Sequence, residues 1–134
     1  MVSLAALATL IASAAALGIN CRGSDACPLN DAKLSEILVQ VKQLQAQGKG
    51  THHYKPGVQL ACAQGKHASM CASYQRGAGG SADRAVELIQ GLIDHKCQQC
   101  GSIPTQPGND VSKGELTVNI VSAPCCKGNC HCPV

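Results

Sequence analysis

Ten cysteines stand in a chain of 134 residues that has no Trp and no Phe, and this combination sets the terms for any fold. Aromatic side chains normally supply a large share of buried apolar area. Here only Tyr54 and Tyr74 are available, so Leu, Ile, Val and Ala must fill the core. A small domain with so thin a core commonly depends on disulfides, each contributing about 2–4 kcal/mol. Ten is an even number, which permits five bridges and leaves no free thiol.

Such bridges need an oxidising compartment, and the start of the chain supplies one. Residues 1–16 are almost wholly Ala, Leu, Ser and Thr, without a charged side chain, and Ala14-Ala15-Ala16 places small residues at the −3 and −1 positions of a cleavage site before Leu17. The leader lacks Lys and Arg, so only the amino terminus is positive. A membrane anchor would need about 20 apolar residues, and the run stops short of that. The reading is therefore a signal peptide over 1–16, one domain over 17–123, and a cysteine-rich tail over 124–134, secreted and extracellular. Charge is mildly basic, 11 Lys plus Arg against 8 Asp plus Glu. The basic residues are scattered and lack aromatic stacking partners, which argues against nucleic acid. A monomer without cofactor is expected.

Two helices are legible. From Asn30 or Asp31 as N-cap, Leu34, Ile37, Leu38, Val41 and Leu44 recur at intervals of three and four, ending at Gly48 and Gly50. The second begins near Ser81 with Asp83 in its first turn, runs along Ala82, Ala85, Val86, Ile89, Leu92 and Ile93, and closes at His95 and Lys96. Alternation marks strands at 69–75 and 115–121, with weaker ones at 18–22 and 58–63. Gly77 to Gly80 and Pro104 to Asp110 read as loops. The fold class is α+β: a small disulfide-stapled α/β sandwich, with two helices on one face of a mostly antiparallel sheet.

No constellation points to catalysis. Cys97-Gln98-Gln99-Cys100 follows a helix, whereas a redox CxxC precedes one so that the helix N-terminus lowers the thiol pKa. Cys21, Cys27, Cys97 and Cys100 would suit zinc in the cytosol, but oxidise after export. No pair of carboxylates among Asp83, Glu87, Asp94, Asp110 and Glu115 is singled out, and no N-x-Ser/Thr sequon occurs. His52-His53-Tyr54-Lys55 reads as a solvated loop. The tail, Cys125-Cys126-Lys127-Gly128-Asn129-Cys130-His131-Cys132, could form two small disulfide loops or a soft-metal clasp using His131. A bridge between adjacent Cys125 and Cys126 would be strained, so oxidation links that pair to Cys130 and Cys132 in either order, in a small knot outside the sandwich.

Three stretches carry a family resemblance: Leu17-Gly18-Ile19-Asn20-Cys21-Arg22-Gly23-Ser24, then 92–102 (Leu92 to Ser102, through Cys97 and Cys100), then 108–119 (Gly108 to Asn119). In this order, and with the spacing of Cys21 to Cys27, they resemble the smut-fungus virus killer toxin family, killer protein four, and its cellular fungal relatives. The resemblance implies an α/β sandwich, with 18–22 and 115–121 in its sheet. It also implies secretion and growth inhibition of competing fungi or other cells by blocking voltage-gated calcium channels from outside. The partner is then a membrane protein of a target cell, and no catalysis is involved. Such a block needs a rigid scaffold that turns a cation toward an acidic pore mouth.

The family pattern further implies the pairs Cys21–Cys97 and Cys27–Cys100, with Cys62–Cys71 joining neighbouring strands. Three features depart: the toxin's exposed basic residue just before its central cysteine has no counterpart, because Leu60 and Ala61 precede Cys62; a family cysteine early in the second helix is absent, with Val86 near its place; and the tail cysteines are additional. Lys66, Lys55 and His67 are the candidate target-binding residues, Lys66 first. The competing function is a secreted effector, or a protein that binds a wall component or host surface, on the same scaffold without channel activity.

Overall fold

The computed structural model describes residues 17–134; the assigned leader, 1–16, lies outside the described residues. Two helices, α1 (Leu34–Ala46) and α2 (Ala82–Asp94), pack on a sheet. Its strands are β2 (Gln59–Gln64), β3 (Ser69–Gln75), β5 (Gly101–Pro104), β6 (Glu115–Val121) and β7 (Cys130–His131), in the order β5-β6-β3-β2-β7, all antiparallel. A two-stranded ribbon, β1 (His53–Tyr54) with β4 (Gly80–Ser81), leads into α2. This is the α+β sandwich that the two apolar stripes require. Among the described residues no helix is long and apolar enough to cross a membrane.

Each helix buries the face its spacing defines. Leu34, Ile37, Leu38, Val41 and Leu44 of α1 are buried, as are Ala82, Ala85, Leu88, Ile89 and Leu92 of α2; Val86 and Ile93 are half-buried at the edge of that stripe. Ser81 caps α2, its hydroxyl accepting the N–H of Arg84 at 3.0 Å. The start of α1 differs from the reading above. Its N-cap is Lys33, whose N–H is held by Glu36 Oε1 at 2.8 Å. Asn30 and Asp31 are engaged elsewhere, as described below. Gly48, at φ 78°, turns the chain out of α1 in the left-handed region.

In β3, Met70, Ala72 and Tyr74 face the helices and join the apolar core. Cys71 and Ser73 lie on the other face and are also buried. On that face Cys125 of the tail packs on Cys62, and the N-terminal segment bonds Asn119, the partner of Cys71, through the Ser24 N–H.

The tail is therefore not a knot outside the sandwich. Cys130 and His131 pair with Cys62 and Ala61 as an edge strand, and the Cys132 N–H donates to Leu60 O at 2.8 Å. The side chain of Gln59 fixes the return: its Nε2 donates to Ala123 O at 3.1 Å and its Oε1 accepts the Cys125 N–H at 2.7 Å.

Three local readings also change. Residues 18–22 form a single bridge, Asn20 with Ser102, rather than a strand. The Asn20 side chain bonds its own backbone neighbours, Gly18 O at 2.8 Å and Arg22 N–H at 3.0 Å, which competes with a ladder. Pro104 ends β5 rather than opening a loop, and Gly80 is a strand residue. The segment 52–55 is not simply solvated: Tyr54 is 2% exposed and belongs to the core.

Candidate functional site

The hairpin of β2 and β3 presents its turn, Gly65 to Ala68, at one end of the sheet. Cys62 and Cys71 lie directly opposite each other and are disulfide-linked, with Cα atoms 4.1 Å apart, so the hairpin is covalently closed just behind the turn. Gly65 N–H to Ala68 O, 3.0 Å, shuts the turn itself. Lys66 and His67 at its tip are exposed.

Two other segments hold this tip. From the chain before α1, Asp31 Oδ1 accepts the Lys66 N–H at 2.6 Å and Asn30 Oδ1 accepts the His67 N–H at 3.3 Å. Asn30 Nδ2 donates back to Ala68 O at 3.0 Å, and the Asn30 carbonyl takes a hydrogen bond from Gln99 Nε2. Asn30 is 4% exposed. A side chain at position 65 would collide with Asn30 and Asp31, so the glycine lets them approach. From the tail, Asn129 Oδ1 accepts the Gln64 N–H at 3.0 Å, Gln64 Oε1 accepts the Gly128 N–H at 2.9 Å, and Asn129 Nδ2 donates to Glu36 Oε2 at 2.8 Å.

The acids nearest the tip are thus satisfied by amide donors. The Asp31 carboxyl sits below the ordinary carboxylate range, chiefly because of the Lys66 N–H bond, with smaller contributions from the Lys66 and His67 charges. Among the described residues the one ion pair is Arg84–Glu87 at 2.7 Å, on α2. The Lys66 ammonium is left unpaired on a turn whose backbone is fixed from two sides. Such a turn fixes the point from which the exposed Lys66 side chain departs, which lowers the conformational cost of using it in a contact.

The structure brings Lys66 and His67 together and separates Lys55 from them. Gly57 N–H bonds Tyr74 O at 2.7 Å, which puts the segment after Lys55 at the far end of β3, about five strand residues or roughly 17 Å away. Leu60 and Ala61 are both fully buried on β2, beside the tail strand. The clamp residues Asn30, Asp31, Gln64 and Asn129 were missed in the sequence. Asn-Asp before an apolar periodic run is also what an N-cap looks like, so local pattern could not separate the two uses.

All ten cysteines are disulfide-linked. Cys21 joins Cys97 and Cys27 joins Cys100, tying the N-terminal segment to the stretch between α2 and β5. In the tail Cys125 joins Cys132 and Cys126 joins Cys130, one of the two orders left open above. Cys62 Sγ packs 3.7 Å from Cys125 Sγ, making a small sulfur-lined contact between sheet and tail. His131 turns to Gln47, with Nε2 atoms 3.2 Å apart, rather than to those sulfurs. The carboxylates considered for catalysis are not paired. Asp83 meets Gln45, Glu87 meets Arg84, Asp94 meets Gln90 and Asp110 meets Ser112.

The Kp4 family model matches residues 4–122, ending just before the tail. The chain is 39% identical over 108 residues to the KP4 killer toxin of Ustilago maydis P4 virus, a match covering 80% of this chain and 82% of that toxin. With the sandwich and its staples as described, the chain belongs to the Kp4 killer toxin family.

Proposed function

We propose that this protein is a secreted, killer-toxin-like inhibitor of growth that acts on competing fungi or other cells by blocking a calcium channel from outside. The family relationship supports the toxin class. The observation that carries the finer reading is Lys66: an unpaired ammonium on a disulfide-closed turn, braced by Asp31 and by the tail. A pore mouth that concentrates calcium carries carboxylates, and a fixed cation complements it. The apolar leader and the pairing of all ten cysteines support the secreted part of this reading.

The direct test is a voltage-clamped calcium current with protein added to the external solution alone. A reduced current that recovers as external calcium is raised supports the reading. An unchanged current at concentrations that stop growth directs attention to the alternative, a secreted effector or surface-binding protein on the same scaffold.

A further inference from the structure

The opposite end of the sheet holds a second feature that the hairpin does not explain. On the face away from the helices, a cleft of 390 Å³ opens between β6 and the N-terminal segment. Glu115 lies at its base and is 9% exposed. Its carboxylate takes no hydrogen bond and joins no ion pair among the described residues. Burial pushes this carboxyl up from its ordinary range, and the charge of Arg76 opposes that only in part. The residue is buried as a whole, but its carboxylate oxygens are not among the buried, unsatisfied atoms, so the charged end opens into the cleft.

The surroundings are polar and mixed in charge. Ser102 Oγ and Thr117 Oγ1, 2.8 Å apart, continue the floor from Glu115. Arg22 and Arg76 stand exposed at the rim. Arg76 is held at φ 60° in the turn after β3, a conformation that costs a non-glycine residue about 1 kcal/mol. The turn keeps it beside the Gln75–Glu115 pair. An anion entering this cleft meets Glu115, and a cation meets two guanidinium groups. Neutral hydroxyls satisfy both, because each donates to the carboxylate and accepts from an arginine. The volume lies at the small end of ligand sites, that of one or two sugar rings.

We propose that this cleft binds a neutral polyhydroxylated ligand, a hexose unit of a glycan, with Glu115 accepting from its hydroxyls and Arg22 and Arg76 donating to them. No aromatic ring lines the cleft, so affinity for a single unit is weak, roughly millimolar. Glu115 pairs with Gln75, and Val121 with Ser69, so the cleft and the Lys66 turn lie at opposite ends of β3, roughly 20 Å apart. One molecule can hold a glycan at one end and present its cation at the other. The inference is independent of the channel reading.

The test is a residue-resolved NMR titration of the disulfide-intact protein with laminaribiose, cellobiose, chitobiose and mannobiose, and separately with sodium glucuronate. Saturable shifts at Arg76, Ser102 and Thr117 with at least one neutral disaccharide below about 50 mM are expected. Glu115→Gln should weaken that binding by roughly tenfold or more. The substitution keeps the side-chain shape, and a melting temperature close to that of the wild type shows that the variant folds. Lys66→Gln should bind the sugar as the wild type does. The proposal is overturned by no shift at the cleft with any of the four disaccharides, by shifts with glucuronate alone, or by full binding in folded Glu115→Gln.

Discussion

The carboxylate of Asp31 accepts the backbone N–H of Lys66 at 2.6 Å, across 35 positions of sequence. The bond makes the chain before α1 the brace of the exposed turn. Its sign with pH follows from the lowered Asp31 pKa. The stabilisation is fully present above the ordinary carboxylate value of 3.8 and is lost as pH falls through the lower folded value. The protection of the Lys66 and His67 amides, relative to the intrinsic exchange rate at each pH, should therefore fall in acid. Asp31→Ala should show the same loss of protection at neutral pH, with little change in the melting temperature. Equal protection at these amides in both proteins would remove Asp31 from the account.

The staples should differ in worth according to the loops they close. Cys27–Cys100 spans 73 positions and Cys126–Cys130 only 4. The chain-entropy relation gives about 4 kcal/mol for the first and about 2 kcal/mol for the second. Replacing both cysteines of a pair by Ser avoids a stray thiol. Denaturant unfolding of the Cys27/Cys100 variant should show the larger loss, and equal losses would contradict the ranking.

Removing residues 124–134 strips β7 from the sheet edge and uncovers Leu60 and Cys62, both fully buried in the intact protein. Lost burial of one or two such side chains is worth about 2–4 kcal/mol. The truncated protein should melt lower and, with β2 exposed as an edge, associate more readily as concentration rises. A melting temperature equal to that of the full chain would show that the tail rests on the sheet without stabilising it.

That result bears on what the sequence can reveal. Both helices, β3 and β6 were legible because each carries a run of apolar residues long enough to declare its period. The tail was misplaced because Cys130 and His131 carry no alternation; their strand exists only through the partner that Cys62 and Ala61 offer. Gly80–Ser81 and His53–Tyr54 are two-residue strands of the same kind. Lys66 could be named from a turn between two cysteines. Its bracing by Asp31 and Asn129 could not, because those contacts join segments 35 and more positions away.

Tyr74 ties the core to the cap of α2. It is fully buried, and its hydroxyl donates to Ser81 O at 2.7 Å. Tyr74→Phe leaves that carbonyl short of a partner and should cost about 1–2 kcal/mol. Burial, with a smaller push from Glu87 and against the charge of Arg84, raises the Tyr74 pKa from 10.0 to about 12. Between those values the folded state holds the proton more tightly, so stability falls as pH rises above 10.0. The variant should lose part of that alkaline limb in unfolding midpoints measured against pH. Tyr54, whose pKa burial also raises, contributes in the same direction.

The central claim is that a fixed cation at the hairpin tip blocks a calcium pathway. Growth of a sensitive fungus exposed to purified protein, with and without excess external calcium, tests it most directly when Lys66→Gln is run beside the wild type. Wild-type protein should inhibit growth, added calcium should restore it, and Lys66→Gln should lose most of the inhibition while keeping the wild-type melting temperature. Inhibition that is indifferent to calcium and equally strong in Lys66→Gln would contradict the claim.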